Sequence, residues 1–361
     1  MRPEDAYDVV VVGGGAAGAI VAARLAERGE ASICLIEAGP SDQGDQRILE
    51  IGRWLSLAGS ELAREFEIEP QSRGNSALLH TRAYVLGGCA SHNQAIAMLP
   101  PASDLDAWER AGAAGWGSAE TNRYFARMLE RIHVEEVPHD NACAAAFVES
   151  ARAVGLPLVS FADPEAGEGV GWLRLNVRQG MRQSSSVAYL HPLMHRSAAL
   201  TVLTRRTAVR IRFDADGNAT GVDTTRGSVR ARREVVLCAG AVETPKLLLL
   251  SGLGPSERLR EAGIGIVREL PGVGEHFVDH PEGTVIWEAD RPVPTGVVQD
   301  WEAAAFARSE PSLERPDVMI HFGTMPAQTE WLPPGVRGAE HAFWMTPNVM
   351  RPRSRGVLRL R

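Results

Sequence analysis

The run Asp8-Val9-Val10-Val11-Val12 stops at Gly13-Gly14-Gly15-Ala16-Ala17-Gly18, and this junction restricts the fold more than any other feature of the sequence. A short β-branched run ending at glycines reads as a strand, and Ala17–Arg28 then carries Val21 and Leu25 on one helical face before Gly29 ends the helix. A second run, Ser32–Ile36, completes a strand–helix–strand unit with parallel strands buried on both faces. GxGxxG in this setting is a dinucleotide fingerprint. Gly13 permits the tight turn, Gly15 lets backbone approach a pyrophosphate, and Gly18 lets helix pack on strand. The phosphates then rest at the helix N-terminus, beside Ala16 and Ala17. Glu37 closes the second strand, about 20 residues beyond Gly18, where a carboxylate accepts hydrogen bonds from a ribose. The fingerprint does not choose between FAD and NAD.

A second strand–glycine–helix junction follows at Val235–Cys238 and Gly240, with a helix predicted from Thr244 as cap and Pro245 at the first helical position. Residues 164–169 read as a loop, and Asp216-Gly217 between Val209–Phe213 and Gly221–Thr225 reads as a hairpin turn. No internal repeat or low-complexity tract is present. The pattern predicts a discontinuous nucleotide-binding domain interrupted by segments that build a second domain.

Composition matters for what it excludes. With 361 residues, 44% hydrophobic and 23% charged, the chain is expected to fold around one or two cores. The net charge of -7 disfavours nucleic acid as a partner and favours a cationic small ligand. Met1 to Tyr7 has acidic residues and no basic n-region, and Val9–Val12 is too short for a leader or membrane span, so a cytoplasmic location is expected. Cys34, Cys89, Cys143 and Cys238 lie far apart without CxxC spacing and are expected to be buried small residues, neither zinc ligands nor disulfides.

Two further segments carry a family resemblance. Tyr84-Val85-Leu86-Gly87-Gly88-Cys89-Ala90-Ser91-His92-Asn93 resembles the flavin-contacting motif of the glucose–methanol–choline (GMC) oxidoreductases, and Gly240-Ala241-Val242-Glu243-Thr244-Pro245-Lys246-Leu247-Leu248-Leu249-Leu250-Ser251-Gly252-Leu253-Gly254 resembles their second signature. The resemblance implies an α/β fold: a Rossmann-like FAD-binding domain with an interleaved antiparallel-sheet substrate domain. It places the FAD-binding domain at 1–100 and 196–285 and the substrate domain at 101–195 and 286–361. It also implies FAD contacts at Gly13, Gly15, Ala16, Ala17, Gly18, Glu37, Ala38, Ala83, Gly87, Gly88, Cys89, Asn93, Gln94 and Ala208.

Finer matches are similar to choline oxidases. His92 stands where those enzymes bond FAD covalently; a noncovalent histidine beside the flavin is the alternative. In Gly272–Gly283, Glu282 follows His280-Pro281 and matches the glutamate that holds a trimethylammonium group. Such a cation offers no N–H donor, so a carboxylate and aromatic faces must recognise it. Trp54 and Trp301 match aromatics of that site, with core packing as the alternative for each. His321, in Asp317–Gly323, matches a histidine that hydrogen-bonds the alcohol oxygen and the negative charge that develops there, against a buried structural histidine. His276 and His280 have i, i+4 spacing beside Asp279, but Pro281 discourages a helix there, and no metal is predicted.

Three positions depart from the family: Gln94 for a small residue, Arg64 for a tryptophan and Ala327 for an aromatic. Arg355–Arg361 looks like the first residues of a substrate-domain strand, while the family continues through a region carrying the catalytic histidine and its partner. The expectation is therefore a C-terminally incomplete oxidoreductase with little turnover alone. The resemblance implies oxidation of choline to its aldehyde and glycine betaine, with oxygen or another electron acceptor, in a possible homodimer. The alternatives are an FAD dehydrogenase of another alcohol and a non-catalytic flavin-binding fragment.

Overall fold

The computed structural model describes residues 5–71, 78–296, 298–329, 332 and 335–361. Met1–Glu4, on which part of the leader argument rests, lie outside them. In chain order the elements used below are β1 (Asp5–Val12), α1 (Ala16–Arg28), β2 (Ile33–Ile36), β3 (Ala63–Glu67), β4 (Leu79–Ala83), α2 (Ala142–Ala153), β5 (Gly169–Trp172) and β6 (Leu200–Leu203). There follow β7 (Ala208–Phe213), β8 (Ala219–Thr224), β9 (Gly227–Leu237), α3 (Gly240–Leu250), β10 (Val285–Glu288), β11 (Trp301–Ala307), β12 (Val318–Thr324) and β13 (Ala342–Val349).

The chain forms two compact units, each discontinuous in sequence. The first comprises Met1–Asn93, Arg182–Val278 and Arg355–Arg361; the second comprises Gln94–Met181 and Asp279–Ser354.

The first unit is built on a six-stranded sheet in the order β6-β2-β1-β9-β8-β7. Its β6, β2, β1 and β9 run parallel, and the hairpin β7–β8 continues the sheet antiparallel from β9. The valines of β1 are buried on both faces, which is why the strand reads as a continuous apolar run. Val10, Val12, Cys34, Ile36 and Leu247 of α3 share one core. On α1 the buried stripe is Gly18, Ala19, Ala22, Ala23 and Ala26, with Val21 and Leu25 only half-buried. Small residues bring the helix close to the sheet, and Gly29 caps it with a left-handed φ of 69°. The predicted hairpin at Asp216-Gly217 is present, closed by Asp214 Oδ1, which accepts from the backbone N–H groups of Asp216 and Asn218.

Two expectations are corrected here. Helix α3 starts at Gly240 and carries Pro245 inside it, not at its first position. Gly240, with φ +86, turns the chain straight out of β9, so helix is already running when it reaches Thr244. Arg355–Arg361 forms no strand. It meets the first unit through reciprocal bonds between Gly356 and Phe277 and a bond from Leu358 N–H to the Gly274 carbonyl.

The second unit contains a five-stranded antiparallel sheet in the order β10-β13-β12-β11-β5. One face is apolar: Ala303, Ala305 and Phe322 pack on Ala144, Phe147, Val148 and Ala151 of α2, and the Phe147 and Phe322 rings stack at 4.9 Å. No described helix is long and apolar enough to cross a membrane.

Candidate active site

In the first unit the glycine loop is held by backbone contacts. Gly13, with φ +99, backs onto the end of β9, where a Cβ would meet the Cys238 carbonyl oxygen at 2.4 Å; a Cβ on Gly18 would lie 1.9 Å from the Gly13 oxygen. Helix and strand are thus in contact through glycine, as the fingerprint predicts. Glu37 is buried, and its two carboxylate oxygens accept from Gly14 N–H at 2.8 Å and Gly39 N–H at 2.7 Å. Burial pushes this carboxyl up, and the bonds from Gly39, Gly14 and Ala38 oppose the rise. Each oxygen keeps a lone pair for a ribose hydroxyl. Helix α1 has no side-chain cap, and Ala16 and Ala17 at its N-terminus are exposed, so its first N–H groups are open to an anion.

The Gly-Gly turn is joined to this loop. Gly87 N–H donates to the Gly14 carbonyl at 2.7 Å, and a Cβ on Gly88 would lie 2.8 Å from Gly15 Cα. Gly87 and Gly88 both adopt left-handed φ, 89° and 53°. Cys89, expected to be buried, is exposed, because the turn lifts it off the core. The His92 ring donates to the Leu57 carbonyl, while its Nε2 is buried without a hydrogen-bond partner. Burial and the Arg182 charge hold this imidazole below the ordinary histidine range, so it is neutral with a free lone pair at Nε2. Trp54, between Ile51 and Leu57, also keeps a buried indole N–H without a partner. Ala83 ends β4 and packs on the Ile48, Leu57, Leu62 and Val85 cluster; Ala208 opens β7 and packs on the main core. Arg64 occupies its departure position with its guanidinium 4.7 Å from the Tyr84 ring and 3.0 Å from Glu243 Oε1.

Arg182 escaped the sequence reading. It is 1% exposed; its Nε donates to the Ile48 carbonyl at 3.0 Å and its Nη1 to Ala90 O at 3.2 Å and Asn93 Oδ1 at 2.8 Å. Burial pushes its guanidinium down to about 10. This side chain ties the His92 segment to the 46–49 turn, and its burial depends on carbonyls remote in sequence. The signal available was an arginine beside Ser184-Ser185-Ser186, a stretch that reads as loop.

In the second unit the sheet face opposite α2 is buried yet polar. His321 on β12 pairs with Thr346 on β13, Met319 with Asn348, and Gly323 with both Trp344 and Trp301. Directly paired residues point to the same face, so this face presents Trp301, His321, Thr346 and Asn348. Thr346 Oγ1 and the Trp301 indole N–H are buried without partners. The Trp301 ring lies over Gly323, where a Cβ would meet its Cε3 at 2.7 Å, and its centroid is 5.9 Å from the His321 ring. Burial pushes the His321 imidazole down to about 4, so it is neutral near pH 7.

Glu282 joins the same face. It bridges Asn348, with Gly283 N–H donating to Pro347 O and Val349 N–H to Pro281 O, both at 3.0 Å. Its outer surface is open to solvent, but crowding still raises its carboxyl above the ordinary range, and a hydrogen bond from Asn348 opposes the rise. His276 and His280 share no helix: Gly272–Gly283 is turn and extended chain. Gln94 is half-buried, and Ala327 is buried in a backbone bridge with Ala339.

These residues fit FAD. The uncapped helix N-terminus suits a pyrophosphate, the Glu37 carboxylate suits a ribose, and the bare Gly15–Gly88 contact and free His92 Nε2 suit a flat ring laid against backbone.

Known proteins agree. Residues 7–282 match the GMC oxidoreductase family. The chain is 41% identical to choline oxidase from Arthrobacter globiformis, over 98% of this chain and 69% of that protein. It is 31% identical to the oxygen-dependent choline dehydrogenase of Brucella melitensis biotype 1, over 98% and 71%. The crystal structure of pyridoxine 4-oxidase from Mesorbium loti superposes with a TM-score of 0.86 at 28% identity, covering 98% of this chain and 73% of that one. Sequence motifs, sheet order and these likenesses agree, and the chain belongs to the GMC oxidoreductases, FAD-dependent enzymes that oxidise alcohol CH–OH groups.

Proposed function

We propose that the alcohol is a short cationic one, with choline the best fit. The supporting observation is the polar face of the second unit, where one register sets out a carboxylate and a neutral imidazole. Glu282 lies two strands and one pair step from His321. With strands about 4.8 Å apart and alternate residues about 6.8 Å apart, their Cα atoms are ~12 Å apart, a span that two side chains and a short amino alcohol fill together. Glu282 takes the cation, and the Trp301 ring, 5.9 Å from the His321 ring, supplies an aromatic face on the same side of the sheet. The neutral His321 hydrogen-bonds the hydroxyl and stabilises the charge that grows on its oxygen.

FAD, when bound, takes up the hydrogen and electron pair that leave the carbinol carbon. Gly15, Gly87, Gly88 and the Glu37 carboxylate would hold it, and the unpartnered His92 Nε2 is the group that would carry a covalent link to it. Oxygen is the proposed final acceptor, consistent with the names of both choline-oxidising relatives.

A second reading, a dehydrogenase of another alcohol, draws on the small Ala327 and the charged Arg64. Titration of FAD-loaded protein with choline and with its neutral carbon isostere, 3,3-dimethylbutan-1-ol, separates the two. The proposal expects choline to bind at least tenfold more tightly, and equal binding would sink it. Acid precipitation tests the flavin bond: yellow colour must stay in the pellet, and colour released to the supernatant refutes the bond.

A further inference from the structure

We propose that Asn348 is a positioning residue for cation recognition: it holds the Glu282 carboxylate toward the face that carries His321. The inference rests on the cation reading of Glu282 and goes beyond it by assigning what fixes that group.

Glu282 lies outside the regular part of β10, at an open sheet edge, where a glutamate would ordinarily sample many rotamers. Its backbone is nevertheless fixed. Glu282 opposite Asn348 and Val285 opposite Met345 belong to one register, so residues 282–288 run along β13 without a slip. A directly paired residue is the nearest side chain on the same face. Asn348 is 7% exposed, and its Nδ2 donates to the Thr346 carbonyl at 2.8 Å. That bond sets the amide plane and leaves the second N–H of the same nitrogen free to reach Glu282. The side-chain bond from Asn348 to Glu282 is present. The carboxylate is thereby turned along the sheet and keeps lone pairs for a ligand cation. A trimethylammonium group is selected by charge and shape alone, so the direction of the carboxylate decides how strongly charge is preferred over shape.

The test compares binding of choline and 3,3-dimethylbutan-1-ol to FAD-loaded protein by calorimetry, which does not depend on turnover. Asn348→Leu keeps the volume and removes the donor; Asn348→Ser is the second variant should the first fail to fold. Choline binding is expected to weaken about tenfold with isostere binding within twofold, and Asn348→Gln, which restores an amide, recovers part of the loss. Equal weakening of both ligands, or no change in either, overturns the proposal. Glu282→Gln is measured alongside. If that variant keeps the parent preference for choline, the cation reading fails and the role of Asn348 fails with it. If it loses the preference while Asn348→Leu keeps it, only the role of Asn348 is refuted.

Discussion

The two units build their functional surfaces by opposite means. The first uses absence: glycines let backbone touch backbone, and the cofactor surface is made of N–H groups and bare Cα atoms. The second uses alternation: one sheet face is apolar and seated on α2, and the other carries the buried Trp301, Thr346 and Asn348 beside the half-buried His321. A site made of backbone tolerates no added atom, whereas a site made of side chains can be retuned one residue at a time. The comparison can be broken at either end.

The largest effect is expected at Gly18. Gly18→Ala places a methyl 1.9 Å from a carbonyl oxygen that cannot yield without separating α1 from β1. We expect soluble, yellow protein to be lost, and a variant that folds and takes up FAD would show that the junction is more plastic than described. Next comes Arg182→Met, which removes the Arg182 donor from the buried Ile48 carbonyl, the half-buried Ala90 carbonyl and the Asn93 amide oxygen. A loss of about 3 kcal/mol is expected in urea unfolding.

These two positions also show what was legible in the sequence. Gly13 and Gly18 announce their contacts because only glycine satisfies them. Arg182 announces nothing, since its partners at positions 48 and 90 become neighbours only in the folded chain. The polar sheet face was equally hidden. Family likeness singles out His321 as a candidate, but its alignment with Thr346 and Asn348 depends on strand pairing that no local pattern encodes. Helix α3 was placed too late because Pro245 is a frequent first helical residue, and the sequence gives no measure of how early Gly240 turns the chain.

A smaller effect is expected from pH. His321 is held neutral by burial, so between about 4 and 6.5 the unfolded chain binds a proton that the folded chain does not. Its contribution to stability is complete above that window and is lost as pH falls through it, by about 2 kcal/mol after discounting for partial solvent access. Glu37 and Glu282, both raised, act in the opposite sense, losing stability as pH rises through their folded values. Unfolding free energies measured across the window should flatten in His321→Gln, and an unchanged slope would exclude this histidine as the source.

The smallest structural change sharpens the contrast most. Gly323→Ala adds a methyl that meets the Asp300 carbonyl oxygen at 2.5 Å and Trp301 Cε3 at 2.7 Å, so the start of β11 must shift and carry the Trp301 ring away from His321. We expect stability to fall by about 1 kcal/mol, tryptophan fluorescence to shift, and choline binding to weaken while FAD content is unchanged. Loss of flavin in this variant would mean that the two surfaces are not separable.

The unbroken register from Glu282 to Glu288 has a consequence for how such enzymes diversify. Side chains alternate along a strand, so inserting or deleting one residue between Gly283 and Val285 would turn Glu282 to the opposite side of the sheet while leaving β10 and β13 paired. A single-codon length change there would take the carboxylate off the face that carries His321 while leaving the sheet itself intact.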